Sequence, residues 1–178
     1  TFLLTLLVPM QYAVLAGVGI SVVLFVARQS NRVSVKRWSF APGAALPLES
    51  VPPAELPAGE VVVLTAYGSL FFASATVFES QLPVATPDSR GAVVVLRLRG
   101  KEELGSTFIK TISRYHDSLA AVGSHLVLTG LSERLLAQLR KTGAIDQLGA
   151  DNVFAARPNV GESLQAGLRR AQHLMDLP

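Results

Sequence analysis

The chain has 178 residues with 16 basic and 13 acidic side chains, a net charge of +3 and no cysteine, which excludes a disulfide framework, a thiolate metal site and a cysteine nucleophile. Four of the 16 basic residues lie between positions 28 and 37, so 12 remain for the region from residue 49, which holds all 13 acidic residues. That region is nearly neutral, and no nucleic-acid partner is expected.

The opening segment of the chain is apolar. Residues 1–27 contain no Asp, Glu, Lys or Arg, and a helix needs about 20 residues to cross the hydrocarbon core of a membrane. Pro9 removes a backbone donor and predicts a break near residues 9–11. We expect a membrane segment over residues 1–28, in which 1–8 end one helix and 12–27 form the last transmembrane helix. A signal peptide is disfavoured because the charge follows the apolar stretch, at Arg28.

Three small residues recur every fourth position in that last helix: Ala13, Gly17 and Ser21. Residues at this spacing share one helix face, and small side chains let a neighbouring membrane helix approach closely. The pattern predicts a packing face inside the membrane. Small residues are also common in membrane helices that contact only lipid, which is the alternative interpretation.

Basic residues follow the apolar segment at Arg28, Arg32, Lys36 and Arg37. Basic residues beside a membrane helix mark its cytoplasmic side. We therefore expect an integral protein of the cell membrane whose remaining residues lie in the cytoplasm.

Residues 29–59 are predicted to be a juxtamembrane and proline-rich linker. Five prolines between residues 41 and 59 exclude a continuous helix and favour an extended connection. Before them, Val33, Val35, Trp38 and Phe40 predict a short first strand over residues 33–40, although the alternation breaks at Arg37.

Strands and helices alternate from residue 60 to residue 178. Runs rich in β-branched residues predict strands at 61–67, 92–98 and 125–129, with a shorter strand at 152–156. Apolar residues at helical spacing predict helices at 73–82, 107–122 and 160–175, and Ser132 caps a further helix over 132–142. This order predicts an α/β fold in which helices cover a mostly parallel sheet.

Four short segments resemble the STAS domain of sulfate permease (SulP, solute carrier 26 type) transporters. Gly68-Ser-Leu-Phe-Phe-Ala-Ser-Ala75 resembles the signature that opens that domain. The segments Leu126-Val-Leu-Thr-Gly130, Arg140-Lys-Thr-Gly143 and Asn152-Val-Phe resemble its second half. An apolar helix with a basic exit followed by a STAS domain is also the order found in this family.

The resemblance implies that the chain is the carboxyl-terminal part of a secondary transporter for an inorganic or small organic anion. The anion would bind membrane helices that are absent here, so no substrate-binding residue is assigned. The STAS domain would regulate or assemble the transporter, with membrane lipid and the missing core helices as partners, and a homodimer is left open. The alternative is a membrane-tethered regulatory module that binds protein partners, as anti-sigma-factor antagonists do.

The loop before the second helix of STAS domains often reads Asp-Ser-Ser/Thr-Gly, and its second hydroxyl residue is phosphorylated in the bacterial antagonists. Here the loop has Gly105 in place of the Asp and Phe108 in place of the Gly. The resemblance therefore makes Thr107, with Ser106 beside it, a candidate for phosphorylation or regulation. Both residues are also ordinary helix caps.

The sequence contains no pattern typical of an enzyme. His116, His125 and His173 lie in no nucleophile or metal-binding motif, and the pair Glu102-Glu103 is typical of a solvated loop. We expect no catalytic residue, no metal and no cofactor.

Overall fold

The computed structural model describes residues 10–30, 33–41, 43, 46–70 and 74–176. Its strands are β1 (Ser34–Ser39), β2 (Leu48–Ser50), β3 (Val61–Tyr67), β4 (Val93–Arg97), β5 (His125–Leu131) and β6 (Val153–Ala155). Its helices are α1 (Met10–Ser30), α2 (Ala75–Glu79), α3 (Ser106–Ala121), α4 (Glu133–Lys141), α5 (Ala144–Leu148) and α6 (Glu162–Met175). Single 3-10 turns lie at Pro87–Ser89 and Ala150–Asn152.

The strands form one sheet in the order β2-β1-β3-β4-β5-β6. Neighbours from β3 to β6 are parallel, whereas β1 is antiparallel to both β2 and β3. The amino end of β1 therefore meets the carboxyl ends of the parallel strands at one edge, where Ser34 pairs with Tyr67. The predicted α/β fold with a mostly parallel sheet is confirmed.

The larger core lies on the first face of the sheet, under helices α2 to α5. Because side chains alternate across a strand, every second residue of β3, β4 and β5 points into it. At its centre the rings of Phe78 on α2 and Phe108 on α3 are 4.4 Å apart, and both are fully buried. This contact fixes the first turn of α3 against the sheet.

The second face of the sheet has a smaller core beneath α6. Helix α6 packs on β4, β5 and β6, and it contacts β3 less extensively. It comes close to the sheet at Gly167, where an added Cβ would overlap the Cγ2 atom of Thr129. The cover of α6 thus reaches Val63 on β3, which is 3% exposed, and the part of this face that is formed by β1 has no helical cover among the described residues.

Helix α1 contains the predicted helix over residues 12–27, and its interpretation as a transmembrane helix is not confirmed. Among the residues that the structure describes, no helix is both long enough and apolar enough to cross a membrane. The predicted helix over residues 1–8 and the break at Pro9 lie outside the described residues.

Two short elements were not predicted. Strand β2 lies in the proline-rich segment, and its three residues are all exposed, so it exists through its pairing with β1. Helix α5 follows Gly143, whose φ of 72° turns the chain after α4. Helix α2 is shorter than expected and ends at Glu79. The first strand, predicted at residues 33–40, is confirmed as β1.

Candidate functional site

The candidate regulatory loop lies between β4 and α3, at the edge where the parallel strands end. Gly105 is the N-cap of α3, and no side chain caps the helix there. Ser106 and Thr107 are exposed in the first turn. Their interpretation as helix caps is therefore wrong, because the capping position belongs to a glycine and the two hydroxyl groups are presented to solvent.

The backbone of this loop is held by the side chain of Gln138 on α4. Its Nε2 donates to the carbonyl of Leu104 at 2.6 Å, and its Oε1 accepts from the amide of Leu104 at 3.2 Å. The amide of Gly105 also donates to the carbonyl of Leu70 at 3.4 Å. The loop is thus fixed from α4 and from the segment after β3, without help from its own hydroxyl groups.

Two buried side chains flank the exposed pair. Leu104 is 1% exposed, and Phe108 is fully buried against Phe78. Phe108 holds the position where the resembling motif has a glycine, and here it anchors the start of α3 in the core. Burial on both sides leaves Ser106 and Thr107 as the outward-facing residues between the anchors.

The first turn of α3 favours negative charge. It contains no acidic residue, and the free amides of a helix amino terminus carry partial positive charge. Lys110 lies three residues after Thr107, on the same side of the helix, and is exposed. One turn further, Arg114 makes two hydrogen bonds of 3.1 and 2.7 Å with Glu79.

A groove of about 430 Å³ runs from this turn along α3 to the junction of α4 and α5. Lys110 and Arg114 line its first half, and Asp117 lies at the other end. The carboxylate of Asp117 accepts from Gln147 at 2.9 and 3.1 Å and contacts His116 Nδ1 at 3.3 Å. These bonds, first from Gln147 and then from His116, lower the pKa of Asp117. The groove thus offers positive charge near Thr107 and a carboxylate about three turns further along α3.

The basic residues that follow α1 are not brought together as one cluster in the described structure. Arg28 lies in the last turn of α1, its side chain is not described, and Arg32 lies outside the described residues. Lys36 and Arg37 are neighbours in β1 and therefore point to opposite faces. Arg37 forms an ion pair with Glu60 at 3.3 Å.

The three small residues of α1 lie on one side of the helix with different exposures. Ala13 is 3% exposed, Gly17 is partly exposed and Ser21 is exposed. Their packing against further membrane helices stays a prediction.

The three histidines lie on three different elements: His116 on α3, His125 on β5 and His173 on α6. His125 begins β5, and its pKa is lowered by burial and then by the charges of Arg170 and His116. His173 is exposed in the last turn of α6. In the described part of the chain, no group of three or more His, Cys, Asp or Glu side chains could hold a metal ion.

Sequence reasoning missed Gln138 and the pair of Arg97 and Trp38. A partly buried glutamine on an amphipathic helix gives no signal that it binds a distant loop. For Arg97 a signal existed, because it follows Val93 and Val95 at every second position of the strand, opposite in direction to Leu96, and so belongs to the second face of the sheet. The guanidinium of Arg97 lies 4.7 Å from the centre of the Trp38 ring.

Comparison with known proteins identifies the fold. The sequence model of one family, described as the STAS domain, matches residues 57–162. No curated protein matches the sequence.

The solved structures that are similar to the chain include the following two. A sulfate transporter family protein from Wolinella succinogenes is 23% identical, with a TM-score of 0.51 over 68% of this chain and 92% of that one. The murine Solute Carrier 26 family member A9 anion transporter, in its inward-facing state, is 14% identical, with a TM-score of 0.69 over 97% of this chain. The chain spans 27% of the length of that transporter. At these identities the likeness shows a shared fold.

Proposed function

Because the chain belongs to the STAS domain family, we propose that it is the carboxyl-terminal regulatory part of a secondary anion transporter of the sulfate permease type. In this proposal α1 attaches the domain to the membrane part of the transporter. The loop at Thr107 and the groove along α3 form the surface through which the domain regulates transport.

The observation that carries this proposal is the apolar surface of α1. Nine of its large hydrophobic side chains are at least 50% exposed: Tyr12, Val14, Leu15, Val18, Ile20, Val22, Val23, Leu24 and Phe25. An exposed apolar surface of this extent is typical of a site that contacts another protein or lipid. The membrane helices of a transporter, with the surrounding lipid, would supply such a contact.

The order of helix and domain supports the same proposal. Only three residues separate the end of α1 from the start of β1. The likeness to the murine anion transporter extends over 97% of the chain and so includes α1 as well as the STAS domain. That transporter thus provides a fold in which a helix and a STAS domain follow each other in this order.

The charges around Thr107 support a regulatory role for the loop. A phosphate there would add up to two negative charges at a helix start that has no acidic residue, with Lys110 one turn away. Because Ser106 and Thr107 are exposed, a kinase or a partner protein could reach them without unfolding the domain.

The decisive experiment is anion uptake by the gene product with its upstream coding sequence. We expect cells that lack their own sulfate uptake to take up labelled sulfate, bicarbonate or a dicarboxylate, and a truncation after residue 30 to reduce that uptake. No uptake of any of these anions, together with upstream sequence that encodes no membrane helices, would overturn the proposal. That result would favour a membrane-tethered regulatory module instead.

A pair of glycine variants in α1 tests the attachment. Gly17→Leu should lower the amount of membrane-inserted transporter, because a bulky side chain blocks close helix approach. Gly19 is the matched control, since it lies on the other side of the helix with nothing within 4 Å of an added Cβ, and Gly19→Leu should leave insertion nearly unchanged. Equal insertion of both variants would contradict the attachment through this face.

A further inference from the structure

The uncovered part of the second sheet face carries a groove of about 580 Å³ between α6 and β1. Its walls are mainly apolar, formed by Trp38 and Phe40 on one side and by Val160, Leu164 and Leu168 on the other. Phe40 is 46% exposed and Val160 77% exposed. A concave apolar site with few polar groups is the usual form of a small-molecule site.

Arg97 is the charged residue among the described residues that line this groove. It is partly buried, and in the described structure it has no ion pair with a carboxylate. Burial, and then the charge of Arg99, lower the pKa of its guanidinium, while Tyr67 acts in the opposite direction. A partly buried cation without a counter-ion is unfavourable, so Arg97 is suited to receive an anion.

The acidic residue on this side of the sheet is already engaged. Glu49 on β2 accepts a hydrogen bond from Trp38 Nε1 at 2.8 Å and another from the hydroxyl of Tyr67. Both donors are neutral, and together with the charge of Lys36 they lower the pKa of the Glu49 carboxyl. The Glu49 carboxylate therefore already has two hydrogen-bond donors, and Arg97 remains available to bind another anion.

Arg97 is flanked by two hydroxyl groups that lack hydrogen-bond partners. Thr65 on β3 and Thr129 on β5 are its register neighbours, at 4% and 0% exposure. Neither Oγ1 atom has a partner in the described structure. Thr129 is covered by Gly167 of α6, and Thr65, beside Lys36 of β1, is not among the residues that line the groove. Of the three neighbours in this row, Arg97 is therefore the one that reaches the groove.

We propose that this groove binds an amphipathic anion, an aliphatic chain that ends in a carboxylate. The carboxylate lies against the Arg97 guanidinium, whose planar donors match its two oxygens. The aliphatic chain runs between Trp38 and the apolar face of α6 at Leu164 and Leu168. This site is on the opposite face of the sheet from the Thr107 loop and does not depend on it.

Trp38 makes the site directly observable, because it is the single tryptophan of the chain. We would titrate the full chain, kept dispersed with an amphipathic polymer, with octanoate and follow the Trp38 emission. Octanamide keeps the chain but lacks the charge, and acetate keeps the charge but lacks the chain. The proposal expects a saturable change with octanoate and at least about tenfold weaker binding of both analogues.

Two variant pairs locate the binding. Arg97→Gln should weaken octanoate binding about tenfold or more, while Arg99→Gln, which removes a charge two residues after the end of β4, should change it by less than about threefold. Val160→Asp places a competing carboxylate at the rim and should weaken binding, whereas Val160→Asn, of the same size, should not. Position 160 is exposed, so this second pair decides the matter even if Arg97→Gln fails to fold.

Several results would overturn the proposal. Equal binding of octanamide and octanoate would mean an apolar site without anion recognition, and equal binding of acetate would mean a simple anion site. A linear, unsaturable response would mean partition into the polymer. Octanoate binding that is unchanged in folded Arg97→Gln, or equal in the two Val160 variants, would place the ligand elsewhere.

Discussion

Gln138 is a single side chain on which the position of the candidate loop depends. Its amide makes both a donated and an accepted hydrogen bond with the backbone of Leu104, and Leu104 itself is 1% exposed. Loss of this amide would leave an amide hydrogen and a carbonyl unpaired in a partly buried place, which is more costly than the loss of a solvated contact.

We predict that Gln138→Leu lowers the free energy of unfolding by about 2 kcal/mol, because two backbone groups lose their partner. Gln147→Leu is the matched control, since Gln147 is exposed and bonds only the side chain of Asp117 in the described structure, and it should change stability by less than about 0.5 kcal/mol. Urea denaturation measures both. Equal losses of unfolding free energy in the two variants would show that the hydrogen bonds to Leu104 stabilise the fold no more than those of an exposed glutamine.

His125 should make stability depend on pH. Its pKa in the fold is lowered below the usual 6.5, mainly by burial, so the unfolded chain binds the proton more readily. The stability that neutral His125 contributes is fully present above about pH 6.5, the pKa of the unfolded chain, and is lost as the pH falls through the lowered pKa of the folded protein. We predict that unfolding free energy decreases from pH 7 to pH 5, and that His125→Gln flattens this decrease while His173→Gln does not. Parallel curves for all three proteins would contradict the assignment.

Helix α3 brings its exposed first turn, its buried Phe108 and its basic residues into one element. We predict that Thr107→Glu raises the free energy of unfolding by about 0.3 to 1 kcal/mol relative to Thr107→Gln, because a negative charge in the first turn is favoured by the helix dipole. The difference should shrink at high salt. Thermal unfolding of the two variants at low and high ionic strength measures it.

The variants Thr107→Glu and Thr107→Gln also distinguish an effect on stability from an effect on regulation. If the loop regulates transport, uptake by the parent transporter should differ between Thr107→Glu and Thr107→Gln by far more than their small difference in stability allows. Equal uptake would mean that the loop only starts the helix.

The elements with a strong pattern of their own were predictable from sequence. Strand β3 has the predicted bounds, α3 begins one residue earlier than predicted, and Ser132 caps α4 by accepting from the Leu135 amide as expected. Strand β2 and helix α5 were not predictable, because three exposed residues and a single turn carry no periodic signal. Such elements exist through their neighbours, β1 for the strand and α4 for the helix.

The candidate site was predictable only in part. The position of the loop at Thr107 followed from the motif, and the structure places this residue at the surface. The Gln138 contacts cross 34 residues of sequence, and the groove at Arg97 brings β1, β4 and α6 together. Contacts between elements so far apart are set by topology and leave no local pattern to read.

The whole domain should fold without α1. Both hydrophobic cores lie almost entirely between Val33 and Leu174, and the region from residue 49 is nearly neutral. We predict that residues 33–178 form a folded α/β domain that unfolds cooperatively, which circular dichroism and solution sizing would measure. A fragment that stays unfolded, or that dissolves only in detergent, would show that α1 is part of the fold.

The entry of the chain into the sheet limits how α1 and the domain can move. The side-chain amide of Gln81 accepts from the backbone of Val35 at 2.8 Å and donates to that of Val33 at 3.1 Å, so the chain is held in place from Val33 onward. Only Asn31 and Arg32 then separate this fixed point from the end of α1 at Ser30, and the three Cα–Cα steps from Ser30 to Val33 reach at most about 11 Å. A larger tilt or shift of α1 would therefore displace β1 as well, so that movement of the helix is mechanically coupled to the sheet.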